Sequence, residues 1–250
     1  MKYNKIIIYG GTSEISLALI DIYIDECEKL IIFCRSKQKF IELQKKNIKD
    51  SNSENLKVQI FEVELNDLEK NLEIINKMDN DISGVIWIAG YTGDGDKEFE
   101  NISEAKKNIE INFLNPVMIL TEISKKIKKN SNSFVAVFSS VAGLRGRKKQ
   151  FYYSSSKSGL IAFLSALRQK LFKYQISVTT VIPGYMNTKP FREGKWSSPS
   201  FLITEPEKVA KNLKKAIEKK QEIIYINSFW KIIMTIVKLI PEKIFKRFSF

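Results

Sequence analysis

Short apolar runs alternate along this chain with longer stretches in which apolar positions recur every three or four residues. The runs at 5–9 (KIIIY), 30–34 (LIIFC), 57–63 (KVQIFEV), 83–88 (SGVIWI), 133–139 (SFVAVFS), 176–182 (ISVTTVI) and 222–226 (EIIYI) predict strands. Helices are expected at about 14–25, 37–48, 67–78, 104–129, 152–173 and 206–219. Ser13 is placed to cap the first, Pro116 to bend the fourth and Pro206 to open the last. A polar loop, KDSNSEN, is expected at 49–55, and Pro183-Gly184 breaks the chain after the sixth strand. The strands are too continuously apolar for burial of one face only. Both faces must be covered, which predicts an α/β fold, a doubly wound parallel sheet of seven strands in a single domain over 1–227. Right-handed crossovers in such a sheet put ligands at the C-terminal ends of the strands.

Composition narrows the chemistry. The 250 residues contain no histidine, which excludes His-based acid/base catalysis, serine–histidine hydrolysis and His-ligated metals. The two cysteines, Cys27 and Cys34, make neither a paired metal-ligand pattern nor a disulfide framework, so a reducing, cytoplasmic compartment is expected and no metal. The N-terminal apolar run is too short for a signal peptide, and no stretch approaches a bilayer span.

Two segments point to a dinucleotide. After the first strand the chain reads Tyr9-Gly10-Gly11-Thr12-Ser13-Glu14-Ile15-Ser16, a tight glycine turn opening a helix. Such a turn brings backbone N–H groups and a helix N-terminus to a diphosphate, although an ordinary strand-to-helix turn reads the same way. At the end of the second strand stand Cys34-Arg35-Ser36. An acidic residue there would accept hydrogen bonds from a free ribose 2′-hydroxyl, whereas Arg35 suits a 2′-phosphate. NADP is therefore expected, with NAD as the alternative if Arg35 only stacks on adenine or faces solvent.

A tyrosine four residues before a lysine occurs twice, at Tyr153–Lys157 and Tyr185–Lys189. With nine tyrosines in a lysine-rich chain, chance alone supplies about one such pair. Context separates them: Tyr185 follows the Pro-Gly break, while Tyr153 lies on a predicted helix with Ser140 at the end of the fifth strand. A lysine one turn away, and a cationic nicotinamide, are expected to lower the phenol's pKa and make it a proton donor near neutral pH.

With these residues in place, the sequence resembles the short-chain dehydrogenase/reductase family over about residues 4–226. The matching parts are GGTSEIS, Asn112 in EINFLNP, SSVAG at 139–143, Tyr153-Ser-Ser-Ser-Lys157 and Pro183-Gly184-Tyr-Met-Asn-Thr188. The resemblance implies NAD(P)-dependent interconversion of an alcohol and a carbonyl. Ser140, Tyr153 and Lys157 would carry catalysis, with Lys157 also holding the nicotinamide ribose and Asn112 a water in the proton relay. Gly10, Thr12, Ser13, Glu14 and Ile15 would line the diphosphate, and Arg35, Ser36, Glu64 and Leu65 the adenosine. Ala89, Gly90, Pro183, Gly184, Met186 and Thr188 would meet the rest of the cofactor. Two departures stand out: Glu14 and Ser16 replace the second and third glycines of the usual turn, and Trp87-Ile88-Ala89-Gly90 replaces the usual NNAG. GGTSEIS together with SSVAGLRGRKKQFYYSSSKSGL further resembles the ketoreductases of the decaprenylphosphoryl-ribose 2′-epimerase system, which implies a keto group on a polyprenyl-phosphate sugar. A soluble reductase of another substrate, such as a 3-oxoacyl thioester, is the alternative, and a non-catalytic dinucleotide-binding protein a more distant one.

Charge bears on partners. Basic residues outnumber acidic ones 41 to 28, giving +13. No basic-aromatic nucleic-acid module is recognisable, so no nucleic acid is expected. Arg145, Arg147, Lys148 and Lys149, between Ser140 and Tyr153, would border the substrate mouth and attract an anion, or form a solvated loop. The segment 228–250 (SFWKIIMTIVKLIPEKIFKRFSF) is expected to be a basic amphipathic tail. Phe229, Ile233, Ile236, Val237 and Ile240 would share one face, Lys231, Thr235 and Lys238 the other, and Pro241 would end the helix. That pattern fits peripheral contact at the inner membrane face, or cover for the protein's own core or a partner subunit. The resemblance implies a homo-oligomer, with dimer faces on the helices at about 104–129 and 152–173.

Overall fold

The computed structural model describes residues 1–47, 57–194 and 197–248. The loop expected over 49–55 and the last residue of the helix expected over 37–48 lie outside the described residues. The elements are β1 (Tyr3–Tyr9), α1 (Glu14–Tyr23), β2 (Cys27–Cys34), α2 (Lys37–Asn47), β3 (Val58–Glu62), α3 (Leu68–Asn76) and β4 (Ile82–Trp87). They continue with α4 (Gly95–Glu100), α5 (Ile102–Ile109), α6 (Asn115–Lys126), β5 (Phe134–Phe138), α7 (Phe151–Phe172) and β6 (Ser177–Ile182). The C-terminal third holds β7 (Tyr185–Met186), α8 (Lys189–Arg192), β8 (Ile203–Thr204), α9 (Pro206–Glu218), β9 (Ile223–Tyr225), α10 (Phe229–Leu239) and α11 (Glu242–Phe245).

The seven expected strands form one parallel sheet in the order β3-β2-β1-β4-β5-β6-β9. Successive side chains of a strand point to opposite faces, and both faces here meet helices. On one face Ile6, Ile8, Leu30, Ile32 and Phe134 pack with Leu17 and Ile20 of α1 and Leu213 of α9. On the other, Ile7, Ile31, Val85, Val135 and Val137 pack with Ile75 of α3, Ile119 and Ile123 of α6, and Leu160 and Leu164 of α7. Continuous apolar runs are the sequence consequence of this two-sided burial.

Three features depart from the expectations. The small β7–β8 pair, and α4, are short elements without a periodic signature. The helix expected over 104–129 is divided into α5, one π turn at Glu110–Leu114, and α6. Pro116 therefore sits in the first turn of α6, where no N–H is needed, and the wider π turn absorbs the change in register. Third, α10 is seated on the body: Trp230 and Met234 are buried with Val141, Ile182 and Leu202, so Trp230 is a core residue. Among the described residues no helix is long and apolar enough to cross a membrane.

Candidate active site

The site begins with three stacked rings. Phe33 on β2, Tyr9 on β1 and Trp87 on β4 lie side by side at the C-terminal ends of neighbouring strands. Centroid distances are 4.2 and 4.1 Å, and interplanar angles 12° and 17°. The Tyr9 hydroxyl donates to Asn71 Oδ1 (3.2 Å), and Trp87 Nε1 donates to the Ala89 carbonyl (3.0 Å). The stack fixes the three strand ends from which the glycine turn, Arg35 and the Ala89-Gly90 segment emerge.

The glycine turn is knitted by serines. Gly10 has φ +96°, and a Cβ there would come within 2.9 Å of the Ala89 backbone nitrogen. Only glycine combines that conformation with that approach. Ser16, buried where the family pattern has its third glycine, donates to the Gly10 carbonyl (2.8 Å), and its N–H donates to Ser13 Oγ (3.0 Å). Ser13 caps α1, and the N–H groups of Glu14 and Ile15, in the first helical turn, have no carbonyl within the helix to meet. The half-buried Thr12 completes the turn. This is a fitting cradle for a diphosphate. The carboxylate of Glu14 does not face it alone: Arg192 of α8 holds it through two hydrogen bonds of 2.6 and 3.0 Å.

Where the sequence expects the adenosine, Arg35 is exposed immediately after β2, and Ser36 Oγ accepts from the Lys39 N–H (3.2 Å). Glu64 is exposed and Leu65 half-buried after β3; the Leu65 carbonyl accepts from Asn115 Nδ2 (2.7 Å). Arg35 is an exposed cation at this edge and suits a 2′-phosphate, although the exposed Glu64 lies among the same group of residues.

Ser140, Tyr153 and Lys157 come together. Ser140 follows β5, accepts the Ala142 N–H (3.1 Å), and lies near enough to the Tyr153 hydroxyl to lower its pKa. Lys157 is buried one turn along α7, its Nζ 5.7 Å from the Tyr153 ring centroid and donating to the Phe138 carbonyl (3.2 Å). A Cβ placed on Gly90 would lie 3.1 Å from Asn112 Oδ1 and 3.4 Å from Lys157 Nζ, so the β4 loop closes against both. The other pair is not comparable: Tyr185 is on β7, and Lys189 is exposed and paired with Glu193 (3.5 Å).

The electrostatics correct one expectation. Burial pushes the Tyr153 phenol above its ordinary value, although the Ser140 hydrogen bond and the Arg147 charge pull it down. In the cofactor-free chain, burial of the phenol outweighs both. Burial also pulls the Lys157 pKa down to about 8, which leaves its amine largely protonated at neutral pH.

Asn112 is more engaged than the resemblance implies. Its Nδ2 donates to the carbonyl of Tyr91 (2.6 Å) and to Asn108 Oδ1 (2.8 Å), and its Oδ1 accepts the Tyr91 N–H (3.0 Å). Asn108 Nδ2 in turn donates to the buried Glu98 (2.6 Å). Its side chain therefore ties down the β4 loop. Asn108 and Asn112, four apart on one helical face, carried a readable signal for this network; Glu98 carried none.

Where the sequence expects the nicotinamide, the Pro183 carbonyl accepts the Val141 N–H (3.0 Å), and the Met186 carbonyl accepts the Thr188 N–H (2.7 Å). Gly184 is pressed by Trp230: a Cβ would fall 1.9 Å from its Nε1. Of the basic loop, Arg145, Arg147 and Lys148 line a cavity of about 520 Å³ with Lys246, Phe245 and Phe248; Lys149 is not part of that lining. Arg145 is already engaged, 2.6 Å from Glu242 and 4.3 Å from the Phe245 ring centroid.

Comparison with known proteins agrees with this arrangement. A family model for short chain dehydrogenases matches residues 4–196. An uncharacterized oxidoreductase of Mycobacterium tuberculosis is 25% identical over 166 residues, which span 66% of this chain and 66% of the relative. A 3-oxoacyl-[acyl-carrier-protein] reductase of Bos taurus is 24% identical over 181 residues, 72% of this chain and 75% of that protein. Among solved structures, a short chain dehydrogenase from Burkholderia cenocepacia in complex with NADP superposes with a TM-score of 0.77 at 15% identity, covering 96% of this chain and 100% of that one. The fold, the order of the motifs and the family model converge: the chain belongs to the short chain dehydrogenase family, whose members are NAD(P)-dependent oxidoreductases.

Proposed function

We propose that this protein is an NADPH-dependent carbonyl reductase. The observation that carries the reading is the convergence of Ser140, Tyr153 and the buried Lys157 at the strand ends that open onto the glycine turn. A bound nicotinamide supplies the hydride and, in its oxidised form, a positive ring. Ser140 orients the substrate's carbonyl oxygen, and Tyr153 gives that oxygen its proton. Lys157 holds the ribose hydroxyls and feeds positive charge to the phenol whenever its amine is protonated. The glycine turn holds the diphosphate and Arg35 the 2′-phosphate, which selects NADP over NAD.

For the substrate, a 3-oxoacyl thioester or a related soluble ketone is the leading class, supported by the relatives named as 3-oxoacyl-[acyl-carrier-protein] reductases. A keto group on an anionic or lipid-linked sugar, as the ketoreductase resemblance implies, is the second reading. The cavity lined by Arg147, Lys148 and Lys246 beside the Arg145–Glu242 pair favours it. Exposed Phe99, Ile102, Leu114 and Met118, on or beside the α4–α6 helices, support a homo-oligomer. NADPH oxidation measured against 3-oxoacyl thioesters and keto-sugar phosphates separates the two substrate classes. Turnover of neither, with NADPH bound, would refute both.

A further inference from the structure

Helix α10 carries two apolar surfaces, and the protein's core uses one of them. Trp230 and Met234 face the body and are 7% and 2% exposed. Phe229, Ile232, Ile236 and Leu239 follow at intervals of three, four and three residues, so they line one flank of the helix. Each is more than half exposed, Leu239 reaching 77%. At 1.5 Å per residue the stripe is about 15 Å long. Phe201, also exposed, meets Phe229 edge to face at 5.6 Å and extends it. The face expected from sequence was rotated from this one, because Ile233 and Val237 turn partly towards the body.

Charge decides what can cover the stripe. Lys231, Lys238, Lys243, Lys246 and Arg247 are all exposed along α10, α11 and the residues just after, and the segment's one acid, Glu242, is paired with Arg145. A second copy seated on this surface about a twofold axis would set the same cations against each other. A layer of lipid phosphates complements them while accepting the stripe.

We propose that α10 and α11 form a docking surface for an anionic phospholipid bilayer, lying in the interface with Phe229, Ile232, Ile236 and Leu239 inserted. The surface is joined to the catalytic side. Trp230 Nε1 donates to the Leu202 carbonyl (3.1 Å), and the Trp230 ring packs against Tyr185 at 5.5 Å. The segment between β6 and α9 therefore packs directly against α10. The inference stands apart from which ketone is reduced.

The test is sedimentation of the full chain with phosphatidylglycerol or phosphatidylcholine vesicles. It compares wild type, Ile236→Ser with Leu239→Ser, and Lys231→Gln with Lys238→Gln and Lys243→Gln. Wild type is expected to bind the anionic vesicles, less so as salt rises, and not the zwitterionic ones. The triple lysine variant is expected to bind about a hundredfold more weakly, and the stripe variant to lose binding, both with unchanged NADPH affinity in solution. Wild type left in the supernatant with both vesicles, or variants that bind as wild type does, would overturn the proposal. So would sedimentation velocity in which the stripe variant turns a dimer into monomers, which would make the stripe a self-interface.

Discussion

Arg192 grips Glu14 through both carboxylate oxygens across 178 residues of sequence, tying α8 to the mouth of the glycine turn. Glu14 stands where the family pattern has a glycine, and its charge would oppose a diphosphate if left alone. The guanidinium cancels it and holds the segment after Thr188 over the same end of the sheet. Removing the cation and removing the anion should therefore act in opposite directions. Arg192→Gln is expected to weaken NADPH binding, and Glu14→Gln to leave it unchanged or strengthen it, by fluorescence titration. A similar loss in both variants would mean that the pair is only a strut.

Arg35 is the coenzyme selector in this account. A charge-assisted hydrogen bond to a phosphate contributes on the order of 1.5–3 kcal/mol. Arg35→Gly should therefore lower the NADPH-over-NADH preference by about ten- to a hundredfold, read as the ratio of kcat/KM values. An unchanged ratio would transfer the role to another residue.

The buried Lys157 predicts a pH dependence of stability in the cofactor-free chain. Its folded pKa, about 8, is below the ordinary lysine value of 10.5, so between these values the unfolded state binds more protons. Stability should therefore rise as pH climbs from about 8 towards 10.5, with a slope of at most about 1.4 kcal/mol per pH unit. It should fall as pH drops through 8. Lys157→Met should flatten that slope in denaturant melts between pH 7.5 and 9.5. Equal slopes in the two proteins would show that the amine is not desolvated.

Trp230 joins the C-terminal helix to the site through Gly184, Leu202 and Tyr185. Trp230→Ala should cost about 3–5 kcal/mol of stability in urea unfolding. A loss below 1 kcal/mol would mean that α10 is held by other contacts.

Much of this was legible in the chain. Period-two burial on both sheet faces writes itself as apolar runs, so all seven strands could be read from residues such as Ile6 to Ile8. Ser140, Tyr153 and Lys157 were legible because helix pitch and strand ends convert spacing into proximity. The Phe33–Tyr9–Trp87 stack was not, since it depends on sheet order, which sequence adjacency does not encode. Nor was the Glu14–Arg192 pair, for the same reason. The π turn before Pro116 was missed because a wider turn leaves the local apolar pattern almost unchanged. The raised pKa of Tyr153 was not legible because spacing reports the nearness of Lys157 but not the burial of the phenol itself.

The most direct measurement is a comparison of wild type and Tyr153→Phe, with NADPH affinity by fluorescence titration and turnover on the best ketone in the same preparation. Equal affinity and a fall in kcat of about a hundredfold to ten-thousandfold are expected. Turnover retained within a few-fold, with NADPH still bound, would contradict it.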